Sequence, residues 1–325
     1  MHAEPGVGVR RRRPPGPVDL ATRVGSVLLP SPVMTASGTA GHGAELGRYL
    51  DLAALGAVVV KSISADPWPG NPAPRVHETK AGMINSVGLQ GPGMVVWLAE
   101  ELPELLDIGA TRVVASIWGR SVDEYRRAAE LLAAAPEQVV AVEVNLSCPN
   151  TEAGRHLFAH DPVASAEVMA ATAACGRPRW AKLSPNTDRL VEVALAVHDA
   201  GAEAVTLVNT VLGMAIDPVT RRPRLGAGGG GLSGPAIHPV AVRAVYDVHA
   251  ARADLPIIGV GGVTDGATAV ELLLAGASAV QVGTANFARP SAAIDVQHDL
   301  EHWCRRHGVT AVADLIGDAH ERPRP

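Results

Sequence analysis

Residues 139–150 read VVAVEVNLSCPN: an apolar, β-branched run that gives way at Asn145 to a short polar loop. A run of that kind, flanked by helix-like segments, is the strand of a strand–helix unit. Together with Val139–Leu146, seven further runs share its character: Val33–Ala36, Ala57–Lys61, Arg112–Ile117, Arg179–Leu183, Ala204–Asn209, Pro256–Val260 and Ala279–Gly283. Alanine- and leucine-rich segments separate them. In one, Leu190, Val191, Ala194, Leu195 and His198 recur at helical spacing. Asp265 is placed to cap a helix that runs through Leu274, and Gly276 to end it. Eight such units in 325 residues predict an α/β fold, a single (β/α)8 TIM barrel over residues 19–325. A doubly wound open sheet uses the same alternation and is the alternative. No repeat beyond this alternation and no Pro/Ser-rich linker divides the chain.

Composition bounds the function. With 47% hydrophobic and 19% charged residues the chain can bury a large core, which excludes disorder. A net charge of −5 argues against a whole-surface nucleic-acid binder. Cys148, Cys175 and Cys304 are odd in number and far apart, so they suit neither a disulfide framework nor a metal cluster, and a reducing cytoplasm is expected. The most apolar stretch, Ala53–Val60, is far short of the roughly 20 residues of a membrane span. Arg10–Arg13, followed by Pro14 and Pro15, reads as a disordered leader over residues 1–18 rather than a secretory signal.

In a barrel the active site is built at the C-terminal strand ends. Those ends carry Ser37-Gly38, Lys61-Ser62, Ser116, Asn145 with Cys148, Lys182, Asn209-Thr210, Gly261-Gly262 and Gly283-Thr284. Only three of the 28 basic residues are lysine, and two of them, Lys61 and Lys182, fall in this ring while Lys80 does not. A compact ammonium fits where a guanidinium fork cannot. The two glycine pairs follow the seventh and eighth strands, where a barrel frequently holds phosphate. Glycines that merely make tight turns are the plainer reading. Gly226, Gly228 and Gly231 match a dinucleotide fingerprint by letter, but no clear strand precedes them and Pro235 follows, so a flexible lid is expected. The connections Ser62–Thr111 and Thr210–Leu255 are long enough to lie over the catalytic face. Cys148 is a candidate general base, since an assisted thiol can ionise. His156 and His160 stand four apart without a third zinc ligand. Asn85, Asn145, Asn150 and Asn209 offer amides suited to the edges of a pyrimidine ring, although asparagine also favours turns.

Beyond these separate signals, a set of segments resembles the dihydroorotate dehydrogenase family. They are 34–39 (MTASGT), Lys61-Ser62, 69–72 (PGNP), 85–90 (NSVGLQ), 145–150 (NLSCPN), 182–186 (KLSPN), 209–214 (NTVLGM), 231–234 (GLSG), Gly261-Gly262 and 282–284 (VGT), in family order from about residue 20 to residue 316. The resemblance implies an FMN-binding barrel that oxidises dihydroorotate to orotate in pyrimidine biosynthesis. It implies Cys148 as the base for the C5 proton, with hydride from C6 passing to flavin. Lys61 is implied at flavin and substrate together, and Lys182 at the flavin N1/O2 edge. Ala36, Ser37, Gly38, Ser62, Ser116, Asn145, Val208, Gly234, Gly261, Gly262, Gly283 and Thr284 are implied around FMN. Asn85, Ser86, Val87, Gly88, Leu89, Asn145, Asn150, Asn209 and Thr210 are implied around orotate.

A cysteine base is similar to class 1 of the family, and residues 212–217 and 230–237 resemble subclass 1B. That resemblance implies a separate subunit carrying FAD and a [2Fe-2S] cluster, linked to NAD; a homodimer is also expected. Ser116 departs from the asparagine often found at its place, Gly91 from another asparagine, and Trp118 is bulky for its position. The competing readings are a dihydropyrimidine dehydrogenase-type barrel acting on uracil or thymine, and a non-catalytic flavin-binding scaffold. The former tends to carry histidine where this chain has Asn150.

Overall fold

The computed structural model describes residues 16–42, 44–147 and 158–321. Its centre is eight parallel strands: β1 (Val33–Thr35), β2 (Val58–Val59), β3 (Val113–Ile117), β4 (Val139–Asn145), β5 (Arg179–Lys182), β6 (Ala204–Leu207), β7 (Ile257–Val260) and β8 (Ala279–Val282). They neighbour one another in the order β1-β8-β7-β6-β5-β4-β3-β2. A parallel bridge between Met34 and Ala57 joins the two ends, and Gly56 N–H donates to Val33 O at 2.8 Å. The sheet therefore closes into a barrel, which removes its edges and decides against the open sheet. All eight expected strands are present, with β2 reduced to two residues.

Side chains alternate along each strand. The outward set, including Val58, Val113, Val142, Val144, Ala181, Val205, Ile257 and Val280, packs under the helices in one apolar layer. The longer helices are α1 (Val122–Leu132), α2 (Pro162–Ala171), α3 (Leu190–Asp199), α4 (His238–Ala251), α5 (Gly266–Leu274) and α6 (Ala292–His307). Helix α1 starts at Ser121, whose hydroxyl accepts from Glu124 N–H, and buries Tyr125, Ala128, Ala129 and Leu132 on one face. In α3 the buried stripe is Val193, Ala194 and Val197, rotated from the expected set toward the barrel. Asp265 caps α5 in a reciprocal box with Thr268, as its sequence position predicts. Gly276 follows with a φ of 120°, which only glycine adopts readily.

The inward set divides into layers. Near the strand starts it is apolar: Met34, Val59, Val114, Ala141, Trp180, Ala204, Ile258 and Ala279, joined by Val24 and Leu29 of the hairpin Thr22–Val24/Val27–Leu29. Two residues further along come Ser116, Glu143, Lys182, Thr206 and Gln281, all buried and all polar.

The two long connections meet over the other end. Strands Val76–Thr79 and Gly82–Asn85 come from the connection after β2, and Val211–Gly213 and Gly230–Ser233 from the one after β6. They form one four-stranded antiparallel sheet in which Gly230–Ser233 lies between Val211–Gly213 and Gly82–Asn85. The glycine-rich segment expected as a flexible lid thus contributes a paired inner strand. Among the described residues no helix is long and apolar enough to cross a membrane.

Candidate active site

Between the polar strand ends and the four-stranded sheet lies a cavity of about 1070 Å³. Single small-molecule sites commonly enclose about 300–1,000 Å³, so this one has room for two ligands side by side. Its wall takes in Ala36, Ser37, Gly38, Lys61, Ser62, Asn145, Lys182, Val208, Gly234, Gly261, Gly262, Gly283 and Thr284, and also Asn85, Ser86, Val87, Gly88, Leu89, Asn209 and Thr210. Cys148 and Asn150 lie outside the described residues, as do His156 and the Arg10–Arg13 leader. Ser116 is the described candidate that misses the wall. It is fully buried one layer below, its hydroxyl 2.8 Å from that of Ser62. The reason is alternation: on β3 the inward position above Ser116 falls past the strand end.

The floor is a continuous polar chain. Asn209 Nδ2 donates to Asn145 Oδ1 at 3.2 Å, and Asn145 Nδ2 donates to Ser62 Oγ at 3.1 Å. Ser62 meets Ser116, which donates to Glu143 Oε1 at 3.5 Å. Glu143 is fully buried and forms an ion pair with Lys182, Nζ to Oε1 3.4 Å. Its other oxygen accepts from Gln281 Nε2 at 2.8 Å and Thr206 Oγ1 at 3.2 Å. Three donors beside an ammonium make a buried carboxylate tolerable, and the carboxylate in turn fixes the ammonium beneath the cavity. Tyr125, from α1, donates its hydroxyl to Asn145 O at 2.5 Å and anchors the end of β4.

Lys61 stands apart from this network. Among the described residues it has no ion-pair partner, and burial, with Arg75 adding repulsion, pulls its ammonium below the ordinary lysine value. An anion in the cavity would relieve that cost.

The opposite wall is glycine. Gly261 and Gly262 leave β7 with φ of 138° and 69°. A Cβ on Gly262 would stand 2.6 Å from His238 Cβ, so only glycine lets this turn press on the start of α4. At Gly38, with φ 86°, nothing lies within 4 Å of the missing Cβ. Thr284 Oγ1 donates to Ser233 Oγ at 2.8 Å and ties the turn after β8 to the overlying sheet. Backbone turns of this kind at one end, with ammonium and amide groups at the other, are a donor set that fits a flavin mononucleotide.

Above the floor, Gly88 and Leu89 both adopt left-handed backbone, φ 74° and 60°. For leucine that conformation is strained and needs support. Trp68 Nε1 donates to Gly88 O at 3.0 Å, and the Arg120 guanidinium lies 4.4 Å over the Trp68 ring. Trp118 meets Trp68 edge-on at 5.9 Å, which accounts for its bulk, and Gly91 pairs with Trp68 through two backbone hydrogen bonds. Sequence reasoning missed Glu143, Asn186 and Asn71. Asn186 donates to Thr210 O at 2.9 Å and accepts from Leu212 N–H at 2.8 Å, while Asn71 donates to Ser86 Oγ at 2.8 Å. For Glu143 a signal existed: a lone carboxylate on an apolar strand, two positions before Asn145 and so on the same inward face. Cys175 and Cys304 are free and buried, and burial raises both thiols above the ordinary value, away from reactivity. Among the described residues no three His, Cys, Asp or Glu converge to hold a metal.

Comparison with known proteins converges on the same chemistry. Residues 19–303 match the family described as Dihydroorotate dehydrogenase. The chain is 46% identical over 300 residues to the dihydroorotate dehydrogenase B (NAD(+)) catalytic subunit of Pelobacter propionicus, covering 92% of this chain and 98% of that one. It is 47% identical over 304 residues to the protein of the same name from Desulforudis audaxviator, covering 93% and 98%. It is also 47% identical over 300 residues to a Solibacter usitatus protein provisionally named dihydroorotate dehydrogenase A (fumarate), covering 92% and 97%. The chain belongs to the dihydroorotate dehydrogenase family, FMN-containing barrel oxidoreductases that convert dihydroorotate to orotate in pyrimidine biosynthesis.

Proposed function

We propose that this chain oxidises dihydroorotate with Cys148 as base and passes the electrons to NAD through a separate subunit. The observation that carries the reading is the single cavity that brings Lys61, Lys182, Asn85, Asn145 and Asn209 to face the glycine turns. Asn85, Asn145 and Asn209 hold the ring amides of the substrate, with Thr210 and the Ser86–Leu89 loop shaping its pocket. Lys61, desolvated and without an ion-pair partner among the described residues, receives the substrate carboxylate. Cys148, three residues beyond the end of β4, takes the C5 proton as thiolate. Bound FMN supplies the two-electron acceptor for the hydride that leaves C6. The C5=C6 double bond forms as those two hydrogens part. Lys182, held by Glu143, would offer fixed positive charge to the bound cofactor, which supplies the redox chemistry.

For the acceptor, relatives named for NAD and for fumarate are equally similar to this chain, so overall identity does not separate them. Residues 212–217 and 230–237 favour the NAD type. The chain's three cysteines include two buried ones, so an iron–sulfur cluster would sit on the partner subunit. A homodimer in the cytoplasm completes the reading.

The test is an anaerobic titration of the purified protein with dihydroorotate, watching flavin absorbance. Bleaching is expected. A yellow protein that stays yellow redirects the substrate to uracil or thymine, and one that stays colourless after FMN reconstitution overturns the cofactor. Re-oxidation by NAD only when the second subunit is added supports the acceptor, whereas rapid re-oxidation by fumarate alone defeats it.

A further inference from the structure

His238 opens α4 and lies outside the cavity wall, yet it is buried directly behind the turn after β7. Its Nδ1 is 2.8 Å from Gly261 O, and its Nε2 is 3.0 Å from Glu271 Oε2 on α5. The Gly261 carbonyl can only accept, so the hydrogen of that bond sits on Nδ1. Glu271, more than half exposed, meets the other ring nitrogen and fixes the ring's orientation.

The peptide between Gly261 and Gly262 is planar and trans, so its carbonyl and its N–H point in opposite directions. Holding the Gly261 carbonyl on His238 turns the Gly262 N–H away from the histidine. Gly261 and Gly262 line the cavity and His238 does not, so that N–H faces the ligand side. Glycine at 261 and 262 makes this peptide intrinsically free to flip, because both residues sample positive φ without penalty. Something outside the turn must choose its direction.

We infer that His238 is a positioning residue: it locks the Gly261–Gly262 peptide so that the Gly262 N–H is presented to an anionic group, the flavin phosphate. The inference rests on the reading that places that phosphate at the turns after β7 and β8. Its signature is selective. Riboflavin has the same ring without the phosphate, so it is blind to this peptide.

The experiment titrates FMN and riboflavin separately into the flavin-free full-length chain, following fluorescence quenching. The unsubstituted chain is expected to prefer FMN. His238→Leu should weaken FMN about tenfold, the effect of one hydrogen bond to a charged group, and leave riboflavin unchanged. His238→Asn, whose amide nitrogen takes the place of Nδ1, should restore most of the loss. Equal loss for both flavins, an unchanged FMN preference in His238→Leu, or no rescue by asparagine overturns the inference while leaving the phosphate site in place. Equal affinity of the unsubstituted chain for FMN and riboflavin overturns the phosphate site itself, and the inference with it.

Discussion

Trp180 and Lys182 lie two residues apart on β5, point the same way, and do opposite work. Trp180 is fully buried in the apolar layer near the strand starts, among Met34, Val114 and Ile258. Lys182 is almost as buried, but its neighbours are Glu143 and the cavity. One end of the barrel is closed by Val24 and Leu29, and the other is left open under a sheet. On β3, β4, β5, β6 and β8 the inward residues change from apolar to polar in a single step, whereas β1 and β7 continue with Ala36 and Val260. Burial alone therefore does not distinguish stability from chemistry in this molecule; position along the strand does.

If that division holds, substitutions at the two ends separate cleanly. The largest effect is expected from Cys148→Ala, which should keep bound FMN and slow flavin reduction by dihydroorotate by about 10²–10⁴-fold in stopped flow. Reduction at the native rate would remove cysteine as the base. Lys182→Ala should slow the same step by about 10²-fold, the usual loss for one group that stabilises developing charge. Trp180→Ala should instead cost about 3–5 kcal/mol in denaturant unfolding and leave the reduction rate of folded molecules nearly untouched. A Trp180 variant that is stable but slow would erase the contrast. Glu143→Gln lies on the boundary. It strands a buried ammonium, so about 3 kcal/mol of stability should go, with slower reduction as well.

The smallest effect is a pH dependence. Burial lowers the Lys61 value, so its ammonium is lost at a pH below the ordinary lysine range. Substrate KM should rise as pH climbs through that lowered value, and Lys61→Met should flatten the rise. In the same window the unfolded chain binds more protons than the folded one, so the ligand-free fold should gain stability as pH increases. Loss of stability there would contradict the desolvated ammonium.

The barrel strands were legible because β-branched runs buried on both faces carry a strong local signal, and the capping box at Asp265 is local too. Residues of the wall were legible wherever a strand end could be counted, as at Lys61, Asn145 and Lys182. Ser116 was misplaced by one layer because its strand ends just above it. The place of the roof was legible from the two long connections, but its strand pairing was not. Its strands are three or four residues long and rich in glycine, and their pairing joins Asn85 to Gly231. No periodicity within either segment encodes that pairing. His238 likewise means nothing until α4 meets the turn after β7.

The pairing of Asn85 with Gly231 spans 146 positions of sequence. Closing a loop of that length is entropically costly until the strands beneath have already drawn the two excursions together. The roof should therefore be the last part of the chain to assemble. A refolding chain would recover its helical signal and tryptophan burial first, and the capacity to retain flavin in a separate, slower phase. During synthesis, six of the eight barrel strands emerge before Gly231 does, so the pocket is completed only when translation is well past two-thirds of the chain.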